Sequence, residues 1–140
     1  MAGSIRWAMW LVFAFGAAGC GSPAFEVTGT VTYNGAALDK PDGQIVFLGP
    51  NGEQIAAPID PDGTYRARGV PSGTNRVAVY YPNPKAKSDK SNKLKPGEMP
   101  RAIPKYLTPE KYASAETSDL VVTVEKPTVY TAELRGPKIP

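Results

Sequence analysis

Residues 60–81 read DPDGTYRARGVPSGTNRVAVYY, and this stretch decides the fold class. It contains two runs in which side chains alternate with a period of two, the pattern of β-strands that bury one face. In the first run, Tyr65 and Ala67 fall on one side, and Arg66 and Arg68 fall on the other. Turn residues precede the first run (DPDG) and separate it from the second (PSG). The stretch therefore predicts two consecutive strands joined by a turn.

The same alternation with a period of two extends towards the amino terminus. In FEVTGTVTYNG, residues 25–35, Val27, Val31 and Tyr33 share one face, and Asn34-Gly35 supplies the pair that tolerates positive φ in a tight turn. The first strand is therefore predicted to end near Tyr33.

Two further strands are predicted between this turn and residue 60. The apolar run in QIVFLG, residues 44–49, indicates burial on both faces and a central position in a sheet. EQIAAPI, residues 53–59, is a weaker strand. Because Pro58 has no N–H to donate, an edge position is predicted for it.

Strands also follow near the carboxyl end, in DLVVTVE from Asp119 and VYTAELR from Val129, with the turn KPT between them. The total is about seven strands, which predicts an all-β, two-sheet sandwich, since a single flat sheet would leave an apolar face in water. A small barrel is the alternative. One helical turn is predicted at TPEKY, with Thr108 as the cap and Pro109 in the first helical position.

The first nineteen residues have the pattern of a secretory signal peptide. Arg6 gives a basic start, residues 7–18 are uncharged, and small residues precede Cys20. AAGC looks like a bacterial lipobox, in which the cysteine receives acyl chains such as palmitate and becomes the first residue of the mature protein. Ala17 departs from the leucine that is commonest there. The alternatives are an ordinary signal peptide that leaves a free thiol, and an uncleaved anchor.

Composition limits the chemistry that the chain can perform. The sequence has no histidine and one cysteine, so it lacks the commonest general base and the commonest transition-metal ligand, and it cannot form an internal disulfide. Without residues 1–19, 15 basic residues face 13 acidic ones, a balance that does not indicate nucleic acid. We expect no enzymatic activity, no cofactor and no metal. Asp60 and Asp62 in DPDG are interpreted as turn residues, because the other ligands of a calcium loop are missing.

Residues 82–105 form a Pro- and Lys-rich segment that is the least strand-like part of the mature chain. Seven basic residues face two acidic ones there. The segment is interpreted either as a solvated loop or as a contact surface for anionic lipid or acidic envelope polymer. The candidate contact residues are Lys85, Lys87, Lys90, Lys93, Lys95, Arg101 and Lys105. Four nearby tyrosines are candidates for an aromatic platform or for the core: Tyr80, Tyr81, Tyr106 and Tyr112.

Four stretches together carry a family resemblance: VTGTVTYNGAAL, GQIVFL, DPDGTYRARGVPSGTNRVAVYY and LVVTVEKPTVYTAEL. In order and spacing they resemble the strands of a carboxypeptidase regulatory-like, or transthyretin-like, domain of small bacterial lipoproteins. IPKYLTPEKYASAETSDLVVTV is similar to the segment that such proteins place before their last hairpin. The resemblance implies an immunoglobulin-like or prealbumin-like sandwich and supplies no active-site residue.

These observations predict a division into a signal peptide at 1–19, a tether at 20–25 and a sandwich at 26–136, with the basic loop at 82–105. We expect an exported lipoprotein, anchored through Cys20 to the cell membrane or outer membrane. Its expected role is that of a non-catalytic structural or protein-interaction module of the cell envelope, with an envelope protein or polysaccharide as partner and no nucleic acid. The alternative is a module that binds a carbohydrate or a small hydrophobic solute.

Overall fold

The computed structural model describes residues 23–87, 96–97 and 103–140. Over these residues the chain forms nine β-strands, one short α-helix and one 3₁₀ helix. In chain order they are β1 (Ala24–Tyr33), β2 (Ala36–Ala37), β3 (Gly43–Leu48), β4 (Gln54–Ile59), β5 (Thr64–Pro71), β6 (Gly73–Tyr80), α1 (Pro84–Lys87), the 3₁₀ helix Glu110–Ala113, β7 (Leu120–Val124), β8 (Thr128–Val129) and β9 (Ala132–Leu134). The all-β prediction is confirmed, and the two strands beyond the expected seven, β2 and β8, have two residues each.

The strands follow the order β2-β1-β5-β4-β3-β6-β7, with β8 and β9 also paired to β1. Strand β4 pairs with β3 over its whole length but meets β5 at one residue pair, Ile59 and Tyr65. The sheet curls at this junction, so that β1 and β5 lie against β3, β4, β6 and β7. Phe47 of β3 and Tyr65 of β5 meet between the layers, with ring centroids 6.1 Å apart. The architecture is the predicted sandwich.

The core lies between the two layers and is filled by alternate residues of each long strand. Val27 and Val31 of β1 are fully buried, and Tyr65 and Ala67 of β5 are buried beside exposed Arg66 and Arg68, as the period of two predicts. The largest fully buried apolar side chains are Tyr81, Phe47, Ile45, Leu134, Val27, Val31, Val70, Val77, Val79 and Val124. Burial of this apolar surface is the main favourable term in folding.

The predicted turn after β1 is confirmed. Asn34 has φ of 51° and Gly35 has φ of 87°, the left-handed conformations that a tight hairpin needs. β3 is central as predicted, because it pairs with β4 on one side and β6 on the other.

The predicted edge position of residues 53–59 is wrong, since β4 lies between β3 and β5 in the strand order. Pro58 is tolerated because β4 pairs with β5 only at Ile59, so that the two strands are already apart at Pro58. Pro58 therefore needs no N–H on its β5 side. Among the described strands, β7 pairs only with β6, so β7 is the long strand with an open edge.

The expected last hairpin does not form. β7 pairs with β6 in one layer, whereas β8 and β9 run parallel to β1 in the other. The break between β8 and β9 falls at Tyr130, whose carbonyl oxygen accepts a hydrogen bond from the Tyr65 hydroxyl (2.5 Å). A Cβ at Gly29 would overlap this carbonyl, so a glycine in β1 is what allows the close approach.

The helical turn at TPEKY is present as the 3₁₀ helix, but Thr108 does not cap it. The N-cap position is Pro109, and no side chain caps the helix. The hydroxyl of Thr108 is instead buried without a hydrogen-bond partner among the described residues.

Among the residues that the structure describes, no helix is long and apolar enough to cross a bilayer.

Candidate functional site

The basic segment leaves and re-enters the sandwich at one point, where its two ends are hydrogen-bonded to each other. Pro82 and Tyr106 form an antiparallel bridge. The Asn83 amide donates to the Lys105 carbonyl (3.0 Å), and the Leu107 amide donates to the Tyr81 carbonyl (2.8 Å). These bonds lie directly after the end of β6. The residues that they join form the root of the 82–105 loop, which we call the loop root.

The loop begins with the helix α1, which the proline content did not predict. Pro84 occupies the first helical position, where a missing N–H costs nothing. Asn83 caps the turn, because its side-chain oxygen accepts from the Lys85 amide (3.1 Å). The side-chain amide of Asn83 also donates to the Pro104 carbonyl (2.9 Å), which ties α1 to the returning chain.

Two adjoining depressions lie beside this root, and we call them together the root groove. They have volumes of about 330 and 310 Å³ and share Asn83, Leu107 and Pro140. Seven prolines line the root groove: Pro41, Pro82, Pro84, Pro104, Pro109, Pro137 and Pro140. Because proline has no N–H, these walls offer few backbone donors.

Two aromatic rings line the groove's second depression. The Tyr33 hydroxyl donates to the Pro137 carbonyl (2.6 Å), which holds the carboxyl-terminal segment against β1. The pKa of Tyr33 is raised, mainly by burial and also by the nearby Tyr112. Tyr106 is half-buried, its ring lies 5.9 Å from that of Tyr80, and the Lys105 ammonium lies 5.2 Å from its centroid. The groove is therefore apolar in its walls, with a cation next to an aromatic ring.

Thr108 belongs to the wall of the second depression. Its side chain is 3% exposed, and its hydroxyl has no partner among the described residues. Buried polar atoms in native proteins nearly always have a partner, so this hydroxyl is an exception within the wall of the groove.

The charged side chains that line the root groove are mainly positive: three lysines, Lys40, Lys85 and Lys138, against Asp42. Lys105 adds a further positive charge next to Tyr106. Within the described part of the chain, neither Lys40 nor Lys138 forms an ion pair. The groove therefore favours an anion electrostatically.

The structure places only part of the predicted contact surface. Lys85 and Lys105 lie at the loop root, and Lys87 ends α1. Lys90, Lys93, Lys95 and Arg101 lie outside the described residues, as do Cys20 and the predicted signal peptide.

Sequence reasoning missed Lys40, Lys138 and Tyr33, which are distant in sequence from the loop and reach the groove through the first hairpin and the carboxyl-terminal segment. The available signal was the recurrence of proline beside these lysines: Pro41 follows Lys40, and Pro137 precedes Lys138.

The four tyrosines do not form one platform. Tyr81 and Tyr112 are buried in the core, with 0% and 3% of their surface exposed. Burial raises the pKa of Tyr81 to about 12, and its hydroxyl has no hydrogen-bond partner among the described residues. Tyr80 and Tyr106 remain as a tilted, half-buried pair, with the Tyr80 hydroxyl bonded to Gln44 (2.6 Å). The core interpretation therefore holds for Tyr81 and Tyr112 only.

The DPDG segment forms a turn, in agreement with its interpretation. The Asp62 carboxylate accepts from the amide (3.0 Å) and the hydroxyl (2.6 Å) of Thr64, and these bonds lower its pKa. Within the described ranges, no three histidine, cysteine, aspartate or glutamate side chains are grouped to hold a metal.

A third depression, of about 420 Å³, separates the open edge of β7 from β9. Its charges are balanced, with Lys111 and Arg135 facing Asp119 and Glu133. Lys111 is already engaged, because its ammonium lies 3.7 Å from Asp119 and 4.5 Å from the Tyr112 ring centroid. This depression is a weaker candidate site than the root groove, since its balanced charges favour neither an anion nor a cation.

The root groove and the start of β1 lie at opposite ends of the sandwich. At one end, Ala24 pairs with Pro71, and Gly73 pairs with Val124. At the other end, Gln44 pairs with Tyr80, and the loop root follows. At about 3.3 Å per residue, the ten residues of β1 span about 30 Å between these ends.

The sequence matches no known family profile and no curated protein. Two solved structures are similar in fold. One is a DUF3823 family protein from Bacteroides ovatus, with 16% identity and a TM-score of 0.45, covering 80% of this chain and 44% of that one. The other is a DUF3823 family protein from Parabacteroides merdae, with 18% identity and a TM-score of 0.43, covering 81% and 47%. The chain thus spans less than half the length of either structure, and the likeness concerns the fold alone.

Proposed function

We propose that this chain is a membrane-anchored bacterial lipoprotein whose single sandwich acts without catalysis, as a structural or protein-interaction module of the cell envelope. The lipobox-like AAGC, preceded by an apolar segment, supports acylation of Cys20. The absence of histidine and of a second cysteine from the sequence supports a non-catalytic role. We propose further that the sandwich is a carboxypeptidase regulatory-like domain and that the chain is exported to the cell membrane or outer membrane.

The observation that carries the proposal is the start of β1 at Ala24, two residues before the sandwich was predicted to begin. Only three residues separate Cys20 from Ala24, and the carbonyl of one of them, Pro23, already accepts a hydrogen bond from the Ser72 amide (2.8 Å). An extended chain covers at most ~3.6 Å per residue, so an acylated Cys20 would hold the end of the sandwich within about 14 Å of the anchor point.

This arrangement turns the root groove away from the bilayer. The groove lies at the far end of β1, about 30 Å from Ala24, which is several times the Debye length of ~8 Å in physiological salt. Lys85 and Lys105 would therefore face the aqueous compartment and not the head groups of the anchoring membrane. A partner in the envelope would meet this end first.

A second candidate function, ligand binding, is favoured by the groove itself. Concave sites with apolar walls and a few polar groups are the usual form of small-molecule sites. The root groove has such walls together with the unpartnered Thr108 hydroxyl. In this second candidate function, the tethered sandwich binds a soluble or polymeric ligand and not a protein partner.

Metabolic labelling tests the anchor. Bacteria that express the full chain are fed an alkyne fatty acid, and the purified protein is probed for the label. We expect labelling of the wild type, none of Cys20→Ser, and wild-type labelling of the neighbouring control Ser22→Ala. An unlabelled wild-type protein, or label retained in Cys20→Ser, would overturn the proposal.

A further inference from the structure

We propose that the root groove binds a sugar that carries carboxylate or phosphate groups, and that Lys40 and Lys138 contact those groups. The inference rests on the proposed function in its ligand-binding form, because it names the ligand class for the same groove. It does not depend on the anchor, since the groove lies at the opposite end of the sandwich from Ala24.

The charges of the groove select an anion. Lys40 and Lys85 border the first depression and Lys138 borders the second, with Asp42 as the opposing charge. Lys40 and Lys138 reach the groove from the segment after the first hairpin and from the carboxyl-terminal segment. They therefore approach a ligand from two different parts of the chain. Separate cations of this kind suit an extended ligand with several anionic groups better than a single small ion.

The walls favour a sugar over a peptide. Peptides that add to a sheet need unpaired backbone donors. Here seven prolines line the groove, and the Asn83 and Leu107 amides are already bonded within the loop root. A sugar ring needs an apolar surface for its C–H face and side-chain partners for its hydroxyls. Half-buried Tyr106 supplies the surface, and the Lys40 and Lys138 ammonium groups supply hydrogen-bond donors.

The test measures binding to the full chain in detergent by calorimetry. Four probes are compared: a galacturonate hexamer, phosphorylated dextran, a neutral glucose hexamer and a hexaglutamate peptide. We expect binding of one or both acidic sugars, with weakening in added salt, and at least tenfold weaker binding of the neutral hexamer and the peptide. The two acidic probes separate carboxylate from phosphate as the preferred group.

The double variant Lys40→Glu/Lys138→Glu should weaken acidic-sugar binding at least tenfold. Its matched control is Lys126→Glu, an exposed lysine in the turn after β7 at the opposite end of the sandwich, which should change binding less than twofold. Tyr106→Ala is the second variant and should weaken binding of the acidic sugars without loss of fold, which a thermal melt checks.

Four results would overturn the proposal: no binding of either acidic sugar, equal binding of the neutral hexamer, tighter binding of hexaglutamate, or an unaffected double variant. The anchor is tested separately by fatty-acid labelling. Binding in detergent without labelling in cells would therefore remove the anchor and leave the groove proposal intact, and the reverse result would remove only the groove.

Discussion

At the scale of single residues, Gly29 is the position where side-chain size limits the fold most directly. It lies in β1 opposite the break between β8 and β9, and any Cβ there would overlap the Tyr130 carbonyl oxygen. Gly29→Ala should therefore force these strands apart and lower the free energy of unfolding by about 2 kcal/mol or more. Urea unfolding followed by circular dichroism measures this loss. Ala56→Val, which adds carbon to an exposed position of β4, is the control and should stay near wild type.

Tyr65 and Tyr81 form a matched pair for testing buried hydroxyls. The Tyr65 hydroxyl donates to Tyr130, whereas the Tyr81 hydroxyl has no partner within the described chain. Tyr65→Phe should cost about 1 kcal/mol at pH 7, because it leaves a carbonyl unpaired, and Tyr81→Phe should be neutral or stabilising. Equal destabilisation by the two substitutions in urea unfolding would contradict this difference.

The same pair predicts a loss of stability in alkali. Burial raises the pKa of both phenols, that of Tyr81 from 10.0 to about 12. The unfolded chain releases these protons near pH 10 while the folded chain keeps them, so stability falls as pH rises through this window. For Tyr81 the loss between pH 10 and 12 is about 2 kcal/mol. Chemical unfolding at pH 7, 10 and 11.5 measures the slope, which Tyr81→Phe should reduce; an unchanged slope in that variant would contradict the assignment.

Thr108→Val tests whether the unpartnered hydroxyl in the groove wall destabilises the fold. Removing a buried hydroxyl without a partner should raise the free energy of unfolding by about 1 kcal/mol. Thr123→Val, at an exposed position of β7, should change it by less than about 0.5 kcal/mol. A loss of stability in Thr108→Val under thermal or urea unfolding would show that the hydroxyl has a partner.

At the scale of elements, the hydrogen bonds that the structure describes at the loop root all come from residues outside 88–102. The Pro82–Tyr106 bridge, the Asn83 and Leu107 amide bonds and the α1 cap all lie outside that range. Replacing residues 88–102 by a short Gly/Ser linker should therefore change the free energy of unfolding by less than about 1 kcal/mol, since loop-closure cost varies slowly with length. Hydrogen exchange of the Leu107 amide reports on the root. Fast exchange in the shortened protein would show that the root depends on the replaced residues.

At the scale of the whole molecule, the sequence predicts the fold class well because β1 and β5 alternate in polarity along their length. Val27, Val31, Tyr65 and Ala67 lie in the core as the period of two requires. Pairing is less predictable, since it depends on which strands meet. Pro58 predicted an edge strand, yet β4 lies inside the sheet. The pairing of β4 with β5 is limited to Ile59 and does not include Pro58. The expected last hairpin fails for the same reason: KPT joins strands of two different layers.

The candidate site was predictable only in part, because it gathers residues from three distant segments. Lys85 and Lys105 could be identified from the charge run. Lys40, Tyr33 and Lys138 join them only after the first hairpin and the carboxyl-terminal segment pack together, through the bond from the Tyr33 hydroxyl to Pro137. No local pattern contains that contact.

The intact mass of the protein purified from bacterial membranes tests the anchored sandwich most directly. We predict a chain that begins at Cys20, without residues 1–19, and whose excess mass equals that of two or three acyl chains with their glycerol link. A chain that retains residues 1–19, or one that begins near Cys20 with no added mass, would contradict it.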